Sequence, residues 1–120
     1  MGYQMAVFNG TVCALAKARY GNGALAVLAF CDGDYGCEQY ATITVNLDAT
    51  MLGNTTYLNH DIQDAGMILQ DAGYGWLTGR TAPSGYVDFQ EFAWDDGVIE
   101  DMPEAEDCDF DAMLEAIRSF

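Results

Sequence analysis

Residues 37–47 carry the clearest pattern in the chain. Cys37, Ala41, Ile43, Val45 and Leu47 fall on one parity, with Gln39 the exception; Glu38, Tyr40, Thr42, Thr44 and Asn46 fall on the other. Alternation at period two predicts an antiparallel strand with one buried and one wet face. Residues 24–31 are apolar on both parities, which predicts a central strand covered on both sides. Residues 11–20 are apolar and strand-compatible, although Ala14, Ala16 and Ala18 leave a helix open. Tyr20-Gly21-Asn22-Gly23 and Asp32-Gly33-Asp34-Tyr35-Gly36 read as turns, because Gly and Asn tolerate positive φ. Three strands joined this way form a meander.

Residues 48–60 read as loop. A helix is predicted from Asp61 to Ala72, with Asp61 and Asp64 in its first turn and Ile62, Ala65, Ile68, Leu69 and Ala72 as its apolar stripe. Gly73 supplies its stop, and Gly66 weakens it. Residues 74–85, rich in glycine with one proline, read as an irregular connection. Aromatics and Val87 make residues 86–94 a strand, and residues 95–109 read as an acidic loop or short helix. Asp111 to Ser119 is an amphipathic helix with Met113, Leu114 and Ile117 on one face, and Phe110 leads into it. The expected architecture is one α+β domain over residues 1–120: an antiparallel β-meander sheet with one or two helices packed on one face.

Composition changes this picture through charge. The 120 residues hold 19 acids against 4 bases, a formal net charge of −15. Residues 1–31 carry +2, residues 32–87 carry −6, and residues 88–120 carry −11. So much negative charge repels nucleic acid and anionic lipid and favours a basic partner. No run of about 18 apolar residues suggests a membrane span, and Met1–Phe8 lacks the pattern of a signal peptide. A cytoplasmic setting is expected. The acidic segment 88–120 retains Phe92, Trp94, Ile99, Met102, Met113 and Ile117, so it reads as a folded acidic face rather than a solvated tail.

Candidate catalytic chemistry is sparse. His60 is the only histidine, no serine elbow accompanies it, and a capping or surface role suits it better than a triad. Cys13, Cys31, Cys37 and Cys108 lack zinc-knuckle spacing. Cys31 and Cys37 flank a turn and could face each other across a hairpin, but without an export signal reduced thiols are expected. Asp107-Cys108-Asp109-Phe110-Asp111 opens like a calcium loop, then has Ala112 for the glycine and Arg118 for the terminal Glu. No phosphate loop or dinucleotide fingerprint is present. No cofactor, metal site or enzymatic activity is expected.

The carboxylates themselves remain. Acids two apart on a strand lie about 6.6 Å from each other, and acids four apart on a helix are near neighbours. Such rows resemble the charge spacing of a nucleic-acid backbone. Asp95, Asp96, Glu100, Asp101, Glu104, Glu106, Asp107, Asp109, Asp111 and Glu115 are the candidate partner-binding residues. Tyr35, Tyr57, Tyr74, Trp76 and Trp94 are candidate aromatic anchors.

Tyr20-Gly21-Asn22-Gly23 with Leu25-Ala26-Val27, then Tyr40-Ala41-Thr42-Ile43-Thr44-Val45-Asn46-Leu47, Thr78-Gly79-Arg80 and Ser84-Gly85-Tyr86, resemble a small family of proteins carried by bacterial phages and conjugative elements. The likeness covers roughly half of the chain. The family has no assigned activity, but the resemblance implies a mobile-element setting. By analogy with small acidic proteins of such elements, the expectation is an inhibitor of a host defence nuclease, anti-CRISPR or anti-restriction. It would bind the basic DNA-binding surface of a CRISPR effector or restriction protein as a DNA mimic, without contacting nucleic acid or membrane. The alternative is an accessory protein–protein interaction module of a conjugative element.

Overall fold

A computed structural model describes residues 2–47 and 53–120. It is mixed α+β, with the expected antiparallel meander and an additional second sheet. The first sheet has the order β1-β2-β3-β4: β1 (Met5–Phe8), β2 (Thr11–Arg19), β3 (Leu25–Gly33) and β4 (Gly36–Thr42). The second has the order β5-β6-β8-β7: β5 (Thr44–Val45), β6 (Thr55–Leu58), β7 (Gly75–Ser84) and β8 (Val87–Trp94). The helices are α1 (Ala65–Asp71), α2 (Asp96–Asp101) and α3 (Phe110–Arg118), with a short 3-10 turn at Ala105–Asp107.

β1 and β2 close through Asn9-Gly10, where φ is 52° and 79°. This is the two-residue turn whose twist suits a hairpin. Residues 11–20 form a strand, and the alanines that left a helix open have a packing role. Along β2, Cys13 and Leu15 enter the core shared with the second sheet. Ala14 and Ala16 enter a second core with Phe30, Met113 and Ile117. Small side chains there let α3 lie close against the outer face of the first sheet. That sheet is therefore covered on both sides, as the two-parity apolarity of residues 24–31 predicts.

The 37–47 strand is not continuous. Ala29 pairs with Ala41 but Phe30 pairs with Gln39, so Tyr40 is an extra residue in β4. Such a bulge reverses the parity beyond it. Ala41 and Ile43 thus join the inner core, while Cys37 packs on the outer one under α3. At Ile43 the chain passes between the sheets: its N–H donates to Val27 O in β3, and its carbonyl accepts from Asn59 N beyond β6, both at 2.8 Å. Thr44, expected on a wet face, is buried. Its Oγ1 accepts from Val27 N at 3.2 Å and pairs with the Tyr20 hydroxyl at 3.0 Å.

Two segments expected as loop are strands. Thr55–Leu58, within the 48–60 loop expectation, is β6; Asp48–Leu52 lie outside the described residues. Residues 75–84, expected as an irregular connection, are the edge strand β7. Its glycines mark irregularities inside the strand. Thr78-Gly79-Arg80 bulges opposite Glu91, with Gly79 at φ 88°. Pro83 is tolerated because β7 lies at the sheet edge. The helix expected over Asp61–Ala72 is confined to Ala65–Asp71, because Asp64 adopts the left-handed conformation at φ 58°. Gly73, at φ 82°, follows the helix end.

Candidate acidic interaction surface

The acidic segment is built as two short helices joined by a strap. Asp95 caps α2 by accepting from Val98 N at 3.1 Å, and Asp109 caps α3 by accepting from Ala112 N at 3.1 Å. These side chains satisfy N–H groups that a helix start leaves unpaired. The near-calcium-loop pattern around Asp109 is thus the entry to a helix. Among the described residues, no group of three or more His, Cys, Asp or Glu side chains is placed to hold a metal ion.

Between the helices the chain is clamped to β2. β1 pairs with β2 as far as Ala14, and Leu15 N still donates to Gln4 O at 2.9 Å, so the β2 edge beyond Leu15 is open to another segment. Pro103–Glu104 uses that edge: Lys17 N donates to Pro103 O at 2.8 Å, and Lys17 and Glu104 form a parallel bridge. Lys17 Nζ donates to Ile99 O in the last turn of α2 at 2.6 Å. A cation at a helix C-terminus meets the negative end of the helix dipole. Further along, α3 is anchored through Arg118, whose Nε donates to Asp32 Oδ2 at 3.1 Å. Ile99, Met102, Met113 and Ile117 bury the inner sides of both helices.

All ten candidate acids are exposed. The ion pairs among the described residues join His60 with Asp61, Arg80 with Glu91 and Arg118 with Asp32, so none of the ten is neutralised by a close cation. They fall into groups. Asp95, Asp96, Glu100 and Asp101 belong to α2 and its cap. Glu104 and Glu106 share a cleft with Lys17 and Arg19. Asp107 ends the 3-10 turn, and Asp109, Asp111 and Glu115 line a shallow groove with Leu114 and Arg118. The segment is helical and turned, so the strand spacing of about 6.6 Å does not apply to it. The helical neighbours Asp96–Glu100 and Asp111–Glu115 do stand one turn apart. Asp96 also has a structural role, accepting from Asn54 Nδ2 at 2.9 Å.

The aromatic candidates separate by burial. Trp94 is 2 % exposed and Trp76 is 54 % exposed. Trp94 Nε1 donates to Thr56 Oγ1 at 2.8 Å inside the core, and Tyr74 OH donates to Met5 O at 2.7 Å. Both are structural residues and cannot serve as anchors. Tyr35 and Trp76 are free to meet a partner, as is Tyr86 at the β7–β8 turn.

His60 and the cysteines are the catalytic candidates. His60 lies 3.3 Å from Asp61 and edge-on to Phe89, beside a cleft of about 380 Å³ that also presents Asp64, Met67, Asp88 and Gln90. Cys31 pairs across the strands with Glu38, and Cys37 with Asp32, so the two thiols point to opposite faces and do not meet. Burial, then Glu38 and Asp32, push the Cys31 thiol pKa up, the reverse of what a nucleophilic cysteine needs.

A family described as a domain of unknown function, DUF4313, matches residues 14–112. The chain belongs to this family. The DUF4313 match begins inside β2 and ends in the first turn of α3, so it includes the β2–Pro103 clamp and the acids from Asp95 to Asp111, and leaves out β1 and Glu115. No curated protein and no solved structure matches the chain. Among the described residues, no helix is long and apolar enough to cross a membrane.

Sequence reasoning named the acids but missed what holds them. Lys17, a base inside an otherwise apolar strand, was the available signal. Arg80 was a similar one: its guanidinium and the Thr78 hydroxyl converge on the buried Glu91 carboxylate at 2.7–2.9 Å, which removes Glu91 from the exposed series.

Proposed function

We propose that the chain is a non-enzymatic binding protein whose acidic segment docks on a basic nucleic-acid-binding surface of another protein, occupying it in place of DNA. The observation that supports this reading is the exposure of all ten acids, none of them in an ion pair among the described residues, on two helices, their caps and the strap between them. A surface that neutralises phosphates with Lys and Arg also attracts carboxylates held in a fixed array, through charge pairing that salt screens. Preorganisation limits the ordering cost of association. With the likeness to mobile-element proteins, the target class is a host defence nuclease complex, a CRISPR effector or restriction enzyme, met in the cytoplasm of a bacterial host by a phage or conjugative element.

The test is affinity capture from bacterial lysate with the native chain and with a Glu100→Lys/Asp101→Lys/Asp107→Lys/Asp111→Lys/Glu115→Lys variant. These five acids exclude the helix caps, the Asn54 contact and the two acids beside Lys17 and Arg19. The reading requires a captured protein that duplex DNA displaces, that high salt releases and that the variant does not retain. Retention by the variant overturns it.

A second reading, an accessory interaction module of a conjugative element, is favoured by the exposed Trp76 and Tyr86 on β7 and its turn. It requires a partner that survives high salt and is lost on Trp76→Ala.

A further inference from the structure

Two sulfur side chains, Cys37 and Met113, meet on the outer face of the first sheet, and a third, Cys108, packs against the same cluster. Cys37 reaches it from β4, turned outward by the Tyr40 bulge. Met113, fully buried, reaches it from α3, and its Sδ lies 3.8 Å from Cys37 Sγ. Cys108 precedes the Asp109 cap, and Met113 is the fourth residue of α3. Those two positions are the ones that pack together as a staple at a helix start. Cys37 and Cys108 accordingly both pack against the cluster that contains Met113. Tyr3 reaches the same place, its hydroxyl donating to Asp109 O at 3.5 Å.

We propose that Cys37, Cys108 and Met113 form a binding site for a soft monovalent metal ion, Cu(I) being the physiological candidate. Two sulfurs each about 2.3 Å from one metal stand about 3.8 to 4.0 Å apart between tetrahedral and trigonal angles, close to the 3.8 Å that separates Cys37 from Met113. The donor set selects the ion. A thioether is a poor ligand for hard or borderline cations, whereas thiolate with thioether suits Cu(I). Binding replaces the two S–H bonds with two S–metal bonds, releases two protons to solvent, and leaves the thioether neutral. No electron is transferred. The site is independent of the acidic docking reading, because it lies under α3 and uses none of the ten carboxylates.

The test titrates the reduced full chain anaerobically with Cu(I) held by the chromophoric chelator bicinchoninate. One Cu(I) per chain is expected to leave the chelator. Cys37→Ser and Cys108→Ser should each weaken binding by on the order of 100-fold, and the volume-conserving Met113→Leu by about tenfold, at or above the loss seen when only an outer partner of a metal ligand is removed. Cys31→Ser, on the other face, should bind as the native chain does. Circular dichroism establishes that each variant is folded. For the native complex, X-ray absorption at the copper edge should show sulfur neighbours only. A chain that cannot compete with the chelator, a Cys37→Ser/Cys108→Ser variant that still binds one Cu(I), nitrogen or oxygen ligation, or displacement of Cu(I) by Zn(II) overturns the proposal.

Discussion

Lys17 Nζ donates to the carbonyl of Ile99 across 2.6 Å, joining the C-terminal part of β2 to the last turn of α2, 82 residues later in the chain. The same residue holds Pro103 through its backbone N–H. One of the chain's four bases therefore secures the segment that carries most of its acids. A hydrogen bond from a charged donor contributes more than a neutral one, and the helix terminus adds to it. Lys17→Met should destabilise the fold by about 1–3 kcal/mol in urea unfolding. Arg19→Met, at an exposed base two residues away, should change it by no more than about 0.5 kcal/mol. Hydrogen exchange locates the effect: the Met102 and Asp107 amides should lose protection in Lys17→Met while those of β3 keep it.

Gly66 shows how packing can override propensity. Alanine is favoured over glycine inside a helix by about 1 kcal/mol. A Cβ at Gly66, however, would lie 2.6 Å from Leu77 Cδ2 and 3.0 Å from its Cγ. Glycine is what lets α1 sit on β7. Overpacking costs about 1–3 kcal/mol, so Gly66→Ala should lower the urea midpoint in the native background. In a Leu77→Ala background the clash is gone, and the same substitution should raise the midpoint. An increase in both backgrounds would show that Leu77 yields freely.

The meander was legible because its signals were local: turn glycines, Asn22, and alternating or doubly apolar runs. The second sheet was less so. β7 contains Gly75, Gly79 and Pro83, each disfavoured in a strand interior, and they are tolerated because β7 is an edge strand and Gly79 sits in a bulge opposite Glu91. Such positional meaning belongs to the pairing and not to the segment. The Tyr40 bulge had the same effect on facing. Periodicity alone placed Cys37 with Ala41 and Ile43, whereas one inserted residue moved it to the opposite core. Of the candidate surface, residue type and exposure were readable from the charge clustering. The clamp through Lys17 and the withdrawal of Glu91, Tyr74 and Trp94 into the fold depend on long-range contacts that no spacing encodes.

Cys13 gives a pH dependence of known sign. Burial, with a smaller contribution from Cys31, pushes its thiol pKa up from 9.0 to about 12. Between these values the unfolded chain loses the proton and the folded chain keeps it. The folded state then binds more protons than the unfolded one, so stability falls as pH rises. This contribution is fully present below pH 9 and lost progressively toward pH 12. Urea midpoints measured in steps above pH 9 should fall less steeply in Cys13→Ala than in the native chain, although the variant starts lower because of the cavity it leaves. Equal slopes would mean that Cys13 is not the group responsible.

The exposed acids should cost stability in proportion to their use in binding. Uncompensated like charges repel one another in the compact state, and that repulsion is screened over about 10 Å at 0.1 M salt. Reversing Glu100, Asp101, Asp107, Asp111 and Glu115 to Lys takes the formal net charge from −15 to −5. None of the five makes a cap or an ion pair. The variant should be at least as stable as the native chain at low salt, with a smaller gain in melting temperature on adding sodium chloride. The caps behave oppositely. Asp95→Ala and Asp109→Ala also remove negative charge, but each leaves a helix N–H without its partner, at about 0.5–2 kcal/mol. If cap removal stabilised the fold, repulsion would outweigh capping throughout the segment. If the reversal variant lost stability at low salt, the five acids would have a structural role beyond a surface kept for a basic partner.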